Sequence, residues 1–199
     1  MALPQDTSSL PFPILSERLI LRGLGPQDLE ATLAHRGHPE VSRYTAPPLN
    51  REQAAAHIQA MTHPHSLENG QWCCLAITRK GHDHVMGETA FRFESRDHLR
   101  VEVGYRLHPG YYRKGYASEA CLALMEFLFN HLEIHKLVAY CTVKNKASLG
   151  LLEKLGFQRE GTLRSHMQLG KVFHDFYLYG YLRSHWPLSG HAESESGST

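Results

Sequence analysis

The stretch VEVGYRLHPGYYRKGYASEA, residues 101–120, carries the decisive reading of this chain. Its first part alternates as a strand over 99–107, with Val101, Val103, Tyr105 and Leu107 on one face and Arg100, Glu102, Gly104 and Arg106 on the other. Pro109 and Gly110 end the strand, and from residue 117 to about 132 the apolar Ala120, Leu124, Phe127 and Leu128 recur at helical spacing. Arg113, Lys114 and Gly115 therefore stand at the mouth of a helix. Helix starts expose unpartnered N–H groups and about half a positive charge, which suits an anion. Gly115 and Ala117 would let a ligand come close to the backbone, and the two cations would add attraction. The same residues also describe an ordinary turn before a helix.

The surrounding pattern extends the strand and helix into a mixed architecture. RLILRGL (18–24) reads as a first strand, PQDLEATLAHR as a short helix, and Asn50 with Gln53 forms a capping-box start for a second helix. Strands are predicted over 71–78 and 84–94, joined by a turn around RKGHD. HKLVAYCTV (135–143) is apolar enough for a strand covered on both faces. A helix over 145–156 takes Asn145 as N-cap and Gly156 just past its end, and two strands follow around a turn near Gly170. The fold class is α/β (α+β): one domain with a mixed, mostly antiparallel twisted sheet, flanking helices and a central right-handed βαβ crossover over 99–143. The domain is expected over 16–187, between a loose N-terminal segment (1–15) and a polar, disordered tail (188–199).

Composition limits the function classes. The 199 residues carry 21 Lys+Arg against 20 Asp+Glu, a formal net charge of +1, so no general field draws in nucleic acid or an anionic membrane. No apolar run reaches membrane-spanning length, because ACLALMEFLFNHL is interrupted by Glu126, and the N-terminus lacks a signal-peptide pattern. A cytoplasmic protein is expected. Cys73, Cys74, Cys121 and Cys141 form no C-x-x-C pair and are read as reduced thiols. Of 15 histidines, the pairs His63/His65 and His82/His84 raise a metal site, but without helical i, i+4 spacing or a Cys/His cluster they are read as surface residues, and no metal is expected. Neither the dinucleotide glycine fingerprint nor a phosphate-binding P-loop is present.

VEVGYRLHPGYYRKGYASEA, then NKASLGLLEKLGFQREG and then HDFYLY, resemble in order the motifs of a GNAT-fold N-acetyltransferase, within it the RimJ/RimL subgroup that acetylates protein N-termini. The resemblance runs from Arg18 to Trp186. It implies acetyl-CoA as donor, its pyrophosphate on the [QR]-x-x-G-x-[GA] loop at 112–117, where Gly115 and Ala117 match and Tyr112 replaces the usual Gln or Arg. Arg113, Lys114, Gly115, Tyr116, Ala117 and Ser118 would form the cradle. The pantetheine arm would pair with the strand near Leu107 and His108, and Asn145 would contact or orient that edge.

Acetyl transfer to an amine needs a neutral amine, a held oxyanion and a thiolate that can leave. Glu102 is the candidate base, its alternative being a structural ion pair with Arg100 or Arg106; Glu88 on the neighbouring strand is a weaker substitute and a candidate substrate contact. The tyrosine that many GNAT enzymes carry in the helix after Asn145 is missing, which leaves Ser148, in the N-x-x-S arrangement of the RimJ/RimL group, as candidate acid or as a helix-start residue. A backbone N–H near Leu107 would hold the oxyanion. His174 either orients substrate or bonds across strands, and Tyr105 reads as core or pocket wall. The acceptor is then a primary amine, a protein N-terminus or a small molecule such as an antibiotic or polyamine. A non-catalytic CoA-binding module is the alternative, and a monomer or homodimer is expected.

Overall fold

The computed structural model describes residues 3–62 and 65–187. The predicted first strand forms as β2 (Leu19–Gly23), beside a two-residue β1 (Ile14–Leu15) too short to leave a period in the sequence. β3 (Cys73–Arg79), β4 (Val85–Ser95) and β5 (Arg100–Leu107) then form the antiparallel meander. β6 (Lys136–Thr142), β7 (Gln158–Leu169) and β8 (Val172–Leu182) complete the sheet. The eight strands lie in the order β1-β2-β3-β4-β5-β6-β8-β7. All neighbours are antiparallel except β5 and β6, which are joined by the expected crossover through α4 (Tyr116–His131).

Alternation within the strands sorts their side chains to two faces. Leu75, Ile77, Phe91, Phe93, Val101 and Leu137 face the main core, closed by Leu124 and Leu128 of α4 and by Leu149 and Leu152 of α5 (Lys146–Lys154). Leu24, Cys74, Ala76 and Val85 face the other way, packed by Ala31 and Met61 under α1 (Leu29–Arg36) and α3 (Arg51–Ala60). The local signals act as expected. Asn50 accepts the Gln53 N–H and Gln53 bonds back, and Gly156 ends α5 at φ +88°. A four-residue α2 (Pro39–Ser42) was not foreseen, since one turn has no apolar period.

The expected loose N-terminal segment is instead packed from residue 3 onward. Leu3, Leu10 and Phe12 lie on the main core, Thr7 is buried, and its N–H donates to the His65 carbonyl at 2.9 Å. Arg96 donates to the carbonyls of Pro4 and Leu67 at 3.0 and 2.8 Å, tying the segment to the end of β4. Its pairing partners lie 58 or more residues away, which is why local composition suggested a loose run. The tail at 188–199 and His63 lie outside the described residues. All four cysteines are free. Among the described residues no helix is long and apolar enough to cross a membrane.

Candidate active site

β5 and β6 are paired only through Arg100–Lys136, Val101–Leu137 and Glu102–Val138. Beyond Glu102 they part, while β5 remains paired to β4 as far as Leu107. The His108 N–H donates to the Met86 carbonyl of β4 at 2.8 Å, so by antiparallel alternation the amide groups of Leu107 and Tyr105 point away from β4 into the wedge, while that of Val103 serves the last pair with β6. A sheet-edge ladder is thus open inside the sheet, suited to an extended amide-bearing chain. His108 itself does not share this edge: its N–H serves Met86 and its carbonyl accepts from Tyr111 at 2.9 Å. Its ring caps the turn through the Gly110 N–H at 3.2 Å.

The mouth of α4 stands at the open end of β5. Gly115 has φ +80° and Arg113 φ +59°, so the chain makes a tight left-handed turn, here called the nest, directly before the unpaired amides of the helix start. The first helical bond runs from the Glu119 N–H to the Gly115 carbonyl, so the amides before it have no helical acceptor. A Cβ on Gly115 would lie 3.2 Å from the Arg18 guanidinium. The two expected cations are placed differently. Lys114 turns back to the Gly110 carbonyl at 2.8 Å, and Arg113 makes no side-chain hydrogen bond or ion pair among the described residues. Arg18 provides a cation that the sequence did not point to. It donates to the Lys114 carbonyl at 3.2 Å, pairs with Glu119 at 2.6 Å and stacks over Tyr116, brought there from just before β2. Ala117 packs on the core below, and Ser118 follows it in the first helical turn.

Across the wedge, the Tyr105 hydroxyl donates to Ser148 Oγ at 2.9 Å. Asn145 caps α5 by accepting the Ser148 N–H at 3.2 Å, so it positions Ser148. Burial, chiefly, pushes the Tyr105 phenol up, and the bond to Ser148 opposes this. This meeting of Tyr105 on β5 with Ser148 on α5 has no signature in linear spacing.

On the opposite face of β5 a cavity of about 260 Å³ opens beneath α1 and α3, lined by Arg36, His57, Trp72, Glu88, Gly104 and Arg106 among others. Tyr105 also borders it, so cavity and wedge are two sides of the same strand. Glu88 reaches the cavity fully engaged. It accepts from His35 Nε2 at 3.0 Å, from His57 Nε2 at 3.2 Å and from both the Nε (2.9 Å) and a terminal nitrogen of Arg36. Burial would raise its carboxyl, but these partners hold it well below the usual carboxylate range. Glu88, expected as a weaker base and a substrate contact, thus lines the cavity while bonded to His35, Arg36 and His57.

His57, Cys74 and Glu88 have ligating atoms within 4.8 Å of one another. Glu88 is already bonded to Arg36, and burial pushes the Cys74 thiol up to about 12, so this group is an ion-pair knot beside a protonated thiol. Neither His82 nor His84 joins a ligating group among the described residues.

Glu102 sits at the closed end of the wedge, on the cavity face of β5. Its partner is Arg92, directly across on β4, at 2.6–2.7 Å, rather than Arg100 or Arg106. Arg100 pairs with Glu94 at 2.7 Å. Burial outweighs Arg92 and leaves the Glu102 carboxyl raised. His174 lies opposite Met167 on the β7–β8 hairpin, beyond the last β6 pair at Thr142–Phe176, and does not line the cavity. The Ser165 N–H there is held by Asp175 at 2.8 Å.

Residues 18–158 match the acetyltransferase (GNAT) domain family. The uncharacterized N-acetyltransferase YoaA of Bacillus subtilis is 34% identical over 86% of this chain and 98% of its own length. The crystal structure of a GNAT-family acetyltransferase from Bacillus anthracis superposes with TM-score 0.78 at 25% identity, over 87% of this chain and 99% of that one. A RimL ribosomal L7/L12 alpha-N-protein acetyltransferase in complex with coenzyme A has the same fold, at TM-score 0.74 and 21% identity over 85% of this chain and 97% of that one. A split sheet with an amide-lined wedge, an anion nest at its open end and a family match across most of the chain lead to one conclusion: this chain belongs to the GNAT family and is an acetyl-CoA-dependent N-acetyltransferase.

Proposed function

We propose that the acceptor is an α-amine that enters the cavity beneath α1 and α3 and meets the thioester across β5. The observation that carries this reading is that residues 104–106 both floor the cavity and border the wedge. Pantetheine fits the free amides of Tyr105 and Leu107 and pyrophosphate fits the amides at 113–118. The likeness to a RimL structure supports a protein N-terminus as the source of the amine, in the manner of the RimJ/RimL subgroup.

The residues divide the chemistry. Glu102, raised by burial yet steered by Arg92, takes the proton of the attacking amine, directly or through water. As the new C–N bond forms, the Leu107 N–H faces the developing oxyanion. As the C–S bond breaks, the thiolate takes a proton from the Tyr105–Ser148 pair. Transfer is direct: Cys74 and Cys121 are pushed up to about 12 and Cys141 is raised, in each case mainly by burial, so none offers a thiolate to carry the acetyl group.

Thiol release from acetyl-CoA, measured with peptides, the same peptides blocked at the N-terminus, and small amines, tests the assignment. Release with free but not blocked peptides is expected. Release confined to amines that are not α-amines, or tight acetyl-CoA binding without release for any acceptor, would contradict it.

A further inference from the structure

Arg106 is the one large charge of the cavity that the fold leaves unanswered. It stands Cα to Cα opposite Glu88 on the same face of β5 and β4, a register in which opposite charges ordinarily bond. Glu88 is instead occupied by His35, Arg36 and His57. Arg106 makes no hydrogen bond or ion pair among the described residues, although it is partly buried and lines the cavity. A guanidinium withdrawn from water without a counter-ion is costly, and such a group is retained where a ligand supplies the anion. Burial, and then the neighbouring Arg36, push Arg106 down to about 10 against the partial relief of Glu88. Beside it the floor is bare: a Cβ on Gly104 would meet only Trp72, at 3.9 Å.

We propose that Arg106 binds a carboxylate carried by the acceptor, so that the substrate class is an α-amine with a carboxylate a few bonds away. This deepens the reading that the cavity receives the acceptor, and it rests on it. The planar fork of arginine matches a carboxylate with two parallel hydrogen bonds. Arg106 adjoins Leu107 and Tyr105, whose amides face the wedge, so a carboxylate held there sets the amine beside the β5 edge. At about 260 Å³ the cavity is at the small end of ligand pockets and takes one amino-acid-sized head group. A polyamine would bring its second ammonium against Arg36 and Arg106. The carboxylate has two sources, the carboxyl of a free amino acid or the acidic side chain of a peptide's first residue.

Matched acceptors differing only in the anion test the proposal. Aspartate and glutamate are compared with their amide derivatives, and peptides starting with Asp or Glu with those starting with Asn or Gln, spermidine being the cationic control. In the wild-type enzyme the carboxylate member of at least one set is expected to have kcat/KM about 10- to 100-fold above its neutral twin, and the set that shows it identifies the source. Arg106→Gln removes that preference and Arg106→Lys keeps part of it, with acetyl-CoA affinity, read by calorimetry, retained in both. Equal rates for charged and neutral twins, or a preference unchanged in Arg106→Gln, overturns the proposal, and the twin comparison needs no variant to fold. Wild-type enzyme that binds acetyl-CoA but turns over no carboxylate acceptor also overturns it, whereas failure to bind acetyl-CoA overturns the reading beneath it.

Discussion

Gly115 sits at φ +80° immediately before α4, with Arg18 3.2 Å from where a Cβ would be. A side chain there is strained and crowds the nest, so Gly115→Val should cost about 1–2 kcal/mol of stability and weaken acetyl-CoA binding at least about tenfold. Thermal unfolding and calorimetry check the two effects separately, and an unchanged affinity would remove the pyrophosphate from this loop. At Glu102 the expected effect is on pH. As a raised carboxyl acting as base, it works only above its own value, so wild-type kcat/KM should fall on the acid side as Glu102 takes up a proton. Glu102→Gln should lose about 100-fold and shift that limb to the amine's own pKa, about 8 for an α-amine. A superimposable profile would leave Glu102 as no more than Arg92's partner. Tyr105→Phe and Ser148→Ala should each lower kcat by about tenfold or less, because a thiol near 8.5 departs with little help. The double variant should lose no more than either single one if the two hydroxyls act as one relay.

Elements show how far a sequence can be read. The helix starting after Gly115, the capping box at Asn50 and Gln53, and the alternation of β5 were all legible, because each is written in neighbouring residues. The nest loop and Ser148 were legible as motif positions. Arg18 at the nest, Tyr105 against Ser148 and the N-terminal segment laid beside β4 were not, since each depends on residues brought together by topology alone. The knot around Glu88 is of the same kind, joining α1, α3 and β4 through His35, Arg36 and His57. Glu88→Gln should therefore cost about 3–5 kcal/mol, since it strands Arg36 in a buried site. The sign follows from the depressed carboxyl: its stabilisation is complete above the unfolded value of about 4.3 and is lost as pH falls through the folded value. Denaturant unfolding between pH 7 and pH 3 should show this acid loss in wild type and a flatter curve in Glu88→Gln. A variant as stable as wild type would rule out the anchoring role.

For the whole molecule, one sheet serves two sides. α4 and α5 close the main core against it, α1 and α3 cover the cavity, and β5 borders both cavity and wedge, where the proposed function has donor and acceptor meet. The near-zero net charge gives no broad charged surface, so the two anion sites proposed, at the loop before α4 and at Arg106, are local. The direct measurement is a crystal structure of the chain with coenzyme A. The account predicts pantetheine bonded to the backbone at Tyr105 and Leu107, pyrophosphate oxygens on the amides at 113–118 and the sulfur near Tyr105 and Ser148. Coenzyme A bound outside the β5–β6 wedge, or a pyrophosphate away from Gly115, would contradict it.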